Sequence, residues 1–494
     1  MFNEFAPMTV KTRFRNTVNK CLTTQVVSPS RFPEADSQSI VFFMNQMPSP
    51  VDLTSSLSTQ LSAAILARPV SDHDLQAAAL FTLDAVANIV AGRNSVPGRK
   101  LLAWQHSMSG GSNQAIDKAR LSFLYGGLCH ILEVDDLHRA SVVHPGCIVV
   151  PAVFAMAAGT NGKSALTAIL RGFEACCRVG MSVGPEHYRI WHNTATCGPF
   201  GSAMAVASLL GLDGAACVNA LGNAGSQSAG LWQFLDTGAE TKHLHAGRGA
   251  EAGLVAATLA DQGFTGAPEI LEGDRGFYRA TCPNPDETLL LPAEDDQWQL
   301  HETSIKPWPS CRHTHPAIEC GLEIHRQLPQ GAAIRSIRIF AYQAALDLCD
   351  RAQVETAYAG KFSLQHCVAT ALLRGAVAFD NFEAEARAEA SDLRSRTAVS
   401  AVAQFQSAYP LHWGSRVEVE LQDGTVTSHE VADARGDPEL PLSHHDMVAK
   451  ARGLLVHGRH PAPDDLIDQI LTMSQSGTVP DLSGLIAGPE SIIE

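Results

Sequence analysis

The stretch LEVDDLHRASVVHPG, residues 132–146, holds Glu133, Asp135, Asp136, His138 and His144. Carboxylates and imidazoles at this density can bind a metal, move protons, or simply form a solvated loop between two helices. His144 precedes Pro145-Gly146, a pair that re-aims the backbone into the next apolar segment, VVPAVFAMAAG. If the preceding helix runs through Asp136, Glu133 and Asp136 share a face at i, i+3. Three more segments carry groups of this kind. HYRIWHNTATCGPFG, 187–201, sets His192 at a Thr-rich turn that opens a Gly/Ala-rich helix. That N-terminus would offer free N–H groups to an anion, or His192 would be a structural member of a cap. TKHLHAGRGAEAG, 241–253, places Lys242, His243, His245 and Arg248 among small residues that permit close approach. SIKPWPSCRHTHPAI, 304–318, offers Lys306, Cys311, Arg312, His313 and His315, with Pro307 and Pro309 imposing an extended backbone. Cys311 lacks any accompanying oxyanion signature and reads as an inert thiol.

Together these segments suit a compact polycarboxylate. Lysine and arginine neutralise its carboxylates, arginine bidentately. A histidine near neutral pKa can take a proton α to a carboxylate or give one to a departing hydroxyl. Nearby cations stabilise the enolate-like charge that develops.

Mostly helices must position these groups. From about Asp52 to Ala260, apolar residues recur at helical spacing, as in DLQAAALFTLDAVANIVAG from Asp74, NQAIDKARLSFLYGGLCHILEVDD, SALTAILRGFEACCRVGMSVG and GPFGSAMAVASLLGLDGAACVNALGNAGSQSAG. Small residues in the last run allow close helix packing. Near residue 300 the character changes. IRSIRIFAY alternates as a strand, and SRVEVELQDGTVTSHEV reads as a hairpin turning at Asp423-Gly424. Helical patterns in FSLQHCVATALLRGAV and NFEAEARAEASDLRSRTAVS lie between them, and PLSHHDMVAKARGLLV and PDDLIDQILTM return to helix. The expected fold is mainly α: a large all-helical domain with an inserted smaller α+β lid domain. The expected boundaries are an unstructured N-terminal extension over 1–51, helical domain over 52–300, α+β lid over 301–440, and C-terminal helices over 441–494 returning to the helical domain.

The formal net charge of −15, with no long basic stripe, argues against nucleic acid as a partner. The twelve cysteines are scattered without C-x-x-C pairs, as expected of free thiols in a reducing compartment. No apolar run reads as a bilayer span, so no membrane association is expected. Residues 8–32 carry Lys11, Arg13, Arg15, Lys20 and Arg31 without an acidic residue. This segment is read as a plain extension of a cytoplasmic protein, with a mitochondrial transit peptide as the alternative.

The four segments resemble, in order and spacing, motifs of the MmgE/PrpD family, which includes 2-methylcitrate dehydratase, cis-aconitate decarboxylase and iminodisuccinate epimerase. The matching stretches are EVDDLHRASVVHPGCIVVPAVFA, WHNTATCGPFGSAMAVASLLGLD, TKHLHAGRGAEAGLVAATLADQGFTG, ILEGDRGF and KPWPSCRHTHPAI, continued by KFSLQHCVATALLRG. The resemblance covers about residues 52–475. It implies a homodimer with a cofactor-free site between its domains, with His144, His192, Lys242, Lys306 and Asp136 catalytic and Glu133 or Asp135 nearby. Glu133, Asp135, His138, His245, Arg248, Arg312, His313 and His315 are the expected substrate contacts. Where some decarboxylases of the family have a histidine after the lysine of the last motif, this chain has Cys311. The expected activity is a cofactor-independent lyase on a small di- or tricarboxylic acid, foremost dehydration of a 2-methylcitrate-like acid. Decarboxylation of cis-aconitate and epimerisation of a dicarboxylate are the alternatives. A metal-dependent hydrolase using Asp135, Asp136, His138 and His144 is a more distant one, because the basic partners would repel a cation.

Overall fold

Ser71 and Asp74 close the start of the first long helix reciprocally. Ser71 Oγ accepts from the Asp74 N–H, and the Asp74 carboxylate accepts from the Ser71 N–H. The helix starts at Asp72, two residues before the sequence pattern suggested. The computed structural model describes residues 56–109, 115–293, 296–475 and 477–486. The expected extension, with its basic segment, lies outside them.

Numbering the longer helices in chain order, α1 is Leu57–Ala67, α2 Asp72–Gly92, α3 Val96–Met108, α4 Lys118–His130, α5 Gly146–Ala157, α6 Gly162–Ser182, α7 Asn193–Leu210, α8 Gly214–Gly225 and α9 Thr241–Asp261. After them come α10 (His315–Gln327), α11 (Leu364–Arg374), α12 (His444–His457) and α13 (Pro463–Leu471). The chain is mainly helical. Helices α1 to α9 share one hydrophobic core, and Leu454, Leu455, Leu466 and Ile470 of α12 and α13 join it. The helix α2 is long and apolar enough to cross a membrane by length and composition, but 78% of that stretch is buried inside the protein. The expectation that no run would reach that length was therefore too strict.

The long Gly/Ala-rich run is two helices, not one. Gly211 takes the left-handed conformation, φ 68°, that ends α7, and Asp213 caps α8 by accepting from the Ala216 N–H. The condition for a shared face is not met, because the preceding helix stops at His130 and does not run through Asp136. Glu133 is itself left-handed at φ 60°, so Glu133 and Asp136 do not share a helical face.

A second core lies on a four-stranded sheet in the order β4-β3-β5-β6, with β3 at Ile334–Ala341, β4 at Thr397–Ala401, β5 at Ser415–Leu421 and β6 at Val426–Val431. Strands β3, β5 and β6 pair antiparallel, while β4 runs parallel to β3. The hairpin is where the sequence places it. Strand β4 is not: its segment reads as helix, and the chain instead makes two short helical turns, Ala384–Glu389 and Ser391–Ser395, before the strand. Val417, Val419, Ile337 and Ile339 turn inward onto Ala317, Cys320, Ile324 and Val368 of α10 and α11.

A ladder of two residues per strand joins the two cores. In it β1 (Leu137–His138) pairs antiparallel with β2 (Thr303–Ser304). It brings the first and fourth chemical segments side by side.

Helices α7 and α9 cross closely because their contact is made of small residues. A Cβ built on Gly253 would lie 2.6 Å from the Pro199 carbonyl oxygen, with Ser202 and Ala203 nearer still. Gly253→Ala is therefore expected to destabilise the protein by about 2–3 kcal/mol, measurable in denaturant unfolding, although alanine is the better helix former.

Candidate active site

A small cavity of about 50 Å³ lies at the junction of the two cores, where residues of both meet. Glu133, His144, Lys242, Lys306, Cys311, Arg312 and His313 supply its polar wall. Leu137, Val142, Tyr188, Trp232, Leu348, Phe362 and Trp413 supply much of the apolar one. Two wall residues, Glu133 (φ 60°) and Val142 (φ 52°), sit in the left-handed region. For β-branched Val142 this is costly, and such strain concentrates at functional sites.

Lys242, in the first turn of α9, donates to both carboxylate oxygens of Glu133 at 2.6 and 2.7 Å. Both residues are almost fully buried. Burial alone would raise the Glu133 carboxyl, but Lys242 and Lys306 outweigh it and hold it well below the usual carboxylate range. Glu133 in turn raises Lys242. Lys306 is less committed. It donates to the Glu133 carbonyl at 3.3 Å and stands 3.8 Å from that carboxylate and 3.6 Å from Asp135. These long contacts leave its ammonium able to meet a ligand carboxylate.

His144 is fixed in one tautomer. Its Nδ1 lies 2.5 Å from the Asp136 carbonyl oxygen, which can only accept, so Nδ1 carries the proton and Nε2 is the basic nitrogen. Burial holds its pKa well below the ordinary histidine value, and Lys306, His130 and Lys242 push the same way against Asp135. His144 is thus a neutral imidazole at neutral pH. Its backbone N–H donates to Thr194 Oγ1 at 3.1 Å, tying it to α7.

Behind it lies a residue that sequence reading did not single out. His130, the last residue of α4, hydrogen bonds through Nδ1 to Asp135 Oδ2 at 2.6 Å, and its ring meets His144 edge-on at 4.6 Å. Its Nε2 has no hydrogen-bond partner among the described residues. The signal was a histidine closing an otherwise apolar helix five positions before Asp135. Lys361 and Lys450 were also missed. Lys361 donates to the Leu132 carbonyl at 2.7 Å and Lys450 to the Val134 carbonyl at 2.8 Å.

Several expected site residues stand elsewhere. The Asp136 carboxylate accepts from the Gly146 N–H at 3.0–3.1 Å and so caps α5. Its pKa is raised by burial, then by Asp135 and Asp84, which favours the protonated form. Asp136 positions His144 through its carbonyl and does not line the cavity. His192 does not line it either. It pairs with His245 at 3.2 Å, Nδ1 to Nδ1, and the ring of Trp232, which does line the cavity, packs on it at 4.6 Å. His138 ends β1 and its ring turns to Ser141, with Nδ1 2.8 Å from Ser141 Oγ. Arg248 is exposed and bonds Glu251 at 2.5 Å, because its place on α9 faces solvent. Arg312 reaches the cavity wall with its guanidinium already engaged by Asp437, by the carbonyls of Ala434 and Arg435, and by His315 Nδ1 at 2.9 Å. His315 is therefore a supporting residue. His313 lines the cavity, stacked on Trp413 and bonded to Tyr342 Oη at 2.7 Å, and burial lowers its pKa to about 3.

The four residues considered as metal ligands do not converge, since Asp136 and His138 are used locally. His130, Asp135 and His144 do cluster, with ligand atoms within 4.8 Å of one another. The Nδ1 atoms of both histidines are already committed, and the Lys306 ammonium stands beside Asp135. That surrounding charge disfavours a dication.

Lys306, held by long contacts alone, and His144 line one cavity at a junction reached from three motifs. The chain belongs to the MmgE/PrpD family: it matches the family's N-terminal domain over residues 60–289 and its C-terminal domain over residues 308–472. It is similar to the cis-aconitate decarboxylase-like protein oryM of Aspergillus oryzae, 27% identical over 76% of this chain and 84% of that one. It is 26% identical to the cis-aconitate decarboxylase of Aspergillus terreus over 65% of this chain and 71% of that one. With the human cis-aconitate decarboxylase it shares 24% identity over 67% and 71%. These relatives are enzymes, and they support a lyase-type role.

Two stability measurements follow. Lys242→Met strands the Glu133 carboxylate in the interior and is expected to cost about 3–5 kcal/mol, largely restored in Lys242→Met/Glu133→Leu. Asp136→Asn keeps an oxygen for the Gly146 N–H but removes a carboxyl whose elevated folded pKa makes stability fall as pH rises from about 4. The Asn variant should be at least as stable as the parent at pH 7, whereas Asp136→Ala should lose about 1 kcal/mol by thermal unfolding.

Proposed function

We propose that this protein is a cofactor-independent lyase that decarboxylates cis-aconitate or a closely similar unsaturated tricarboxylic acid. The observation that carries the reading is the meeting, on one cavity wall, of a neutral His144 with Lys242 and the loosely held Lys306. The similarity to three cis-aconitate decarboxylases or decarboxylase-like proteins supports the choice of substrate.

The chemistry follows from the charges. In cis-aconitate the carboxyl on the saturated carbon leaves as CO2, and its bonding electrons shift into the neighbouring double bond. The far alkene carbon, next to another carboxylate, then takes a proton. Lys306 and Lys242 hold the remaining carboxylates and lower the energy of the delocalised anion. A bound trianion also offsets the lysines that depress His144, which lets His144 take up the proton it delivers. The sheet-bearing core would act as the lid that excludes water from this anion.

Dehydration of a 2-methylcitrate-like acid is the second reading. It is favoured by the unprotonated state of His144 without ligand, which suits removal of a proton α to a carboxylate.

Incubation in D2O with each acid, followed by NMR and CO2 release, separates the two. Loss of CO2 with one deuterium gained is expected from cis-aconitate. Water loss from 2-methylcitrate alone would select the second reading, and no turnover of either acid would remove both. His144→Gln is expected to lower kcat by about 10²–10⁴-fold.

A further inference from the structure

Three consecutive carbonyls, those of Leu132, Glu133 and Val134, each accept from a lysine ammonium: Lys361 at 2.7 Å, Lys306 at 3.3 Å and Lys450 at 2.8 Å. The three lysines come from three separate parts of the chain. Lys361 ends the short helix Ala357–Lys361 beside the sheet, Lys306 follows β2, and Lys450 lies on α12, where it also meets Asp84 Oδ1 at 2.5 Å. The carbonyls need such donors because α4 has ended at His130 and the left-handed Glu133 denies them a regular partner. Charged donors to carbonyls are also the stronger kind.

Resting on the proposed lyase reading, we propose that Lys361 and Lys450 are positioning residues for the reaction: by gripping the carbonyls of Leu132 and Val134 they hold Glu133 left-handed, and so aim the carboxylate that orients Lys242. Neither lysine lines the cavity. Their effect on chemistry runs through residue 133, whose carboxylate does. The grip on Leu132 carries its own signature. Burial lowers the Lys361 ammonium to about 8, with Lys306 and Lys242 adding to the fall and Glu133 and Glu383 opposing it; His457 is the other titrating group beside it. Above pH 8 the charged grip weakens to that of a neutral amine.

The test uses the full chain and CO2 release from cis-aconitate. Lys361→Met is expected to lower kcat by about 10-fold or more while KM changes less than about 3-fold, with the circular dichroism of the parent. Lys361→Arg keeps a charge at all accessible pH, so it should recover part of kcat and lose the fall in rate above pH 8 expected of the parent. Lys450→Met is made together with Asp84→Asn, so that no carboxylate is left unpaired, and should behave like Lys361→Met. A folded Lys361→Met with parental kcat, or a loss confined to KM, overturns the proposal. So does an arginine variant that recovers nothing and keeps the alkaline fall. If the parent turns over no acid, the lyase reading fails by itself, and crystal structures decide the grip. Residue 133 leaving the left-handed region in Lys361→Met supports it; an unchanged residue 133 with its Lys242 pair intact overturns it.

Discussion

The structure depends on a tripeptide that cannot satisfy itself. Residues 132–134 follow a helix that has stopped, carry a left-handed glutamate, and sit where water is excluded. Buried carbonyls in that position must find donors or cost the fold dearly. Each finds an ammonium from a different part of the chain. The tripeptide is thus a common reference point for the helical core, the sheet-bearing core and the C-terminal helices. The Glu133 and Asp135 carboxylates, within it and beside it, are located by the same contacts that hold the three parts together.

Charge then decides what the cavity can do. Glu133 and Asp135 are kept ionised by lysines and by His130, while Asp136, a few ångströms along the chain, is pushed toward its neutral form. Three neighbouring carboxyl groups therefore behave differently, because only two of them face cations. The histidines are treated alike: burial depresses His138, His144, His192, His243 and His313. Such a wall gains most from a ligand that brings negative charge, since that relieves the lysines and returns His144 toward its usual range.

Much of this was legible in the residues. Helical periodicity gave the long helices, and Asp423-Gly424 gave the hairpin, because these signals are local. Glu133, His144, Lys242, Lys306, Arg312 and His313 were found by type and spacing, and all line the cavity. What was misplaced depended on angle around a helix or on a single dihedral. Arg248 and Lys242 lie on one helix, but only Lys242 points inward. Glu133 and Asp136 would share a face only on a continued helix, which the left-handed Glu133 rules out. Strand β4 was hidden because its residues alternate weakly at an exposed edge, and parallel pairing with β3 is a non-local choice. Lys361 and Lys450 carried no pattern of their own, since their roles are set by carbonyls far away in sequence.

The two-residue ladder between β1 and β2 has a bearing on how the protein comes into being. It joins Leu137 to Ser304, and the grip on Val134 waits for Lys450, some three hundred residues further on. During synthesis α1 to α9 can gather early, because many of their contacts lie among residues already made. The cavity cannot. Its walls come from both sides of that ladder, and the segment below it is pinned by α12. The cavity is therefore completed only when α12 packs, and the same helix brings Leu454 and Leu455 into the helical core.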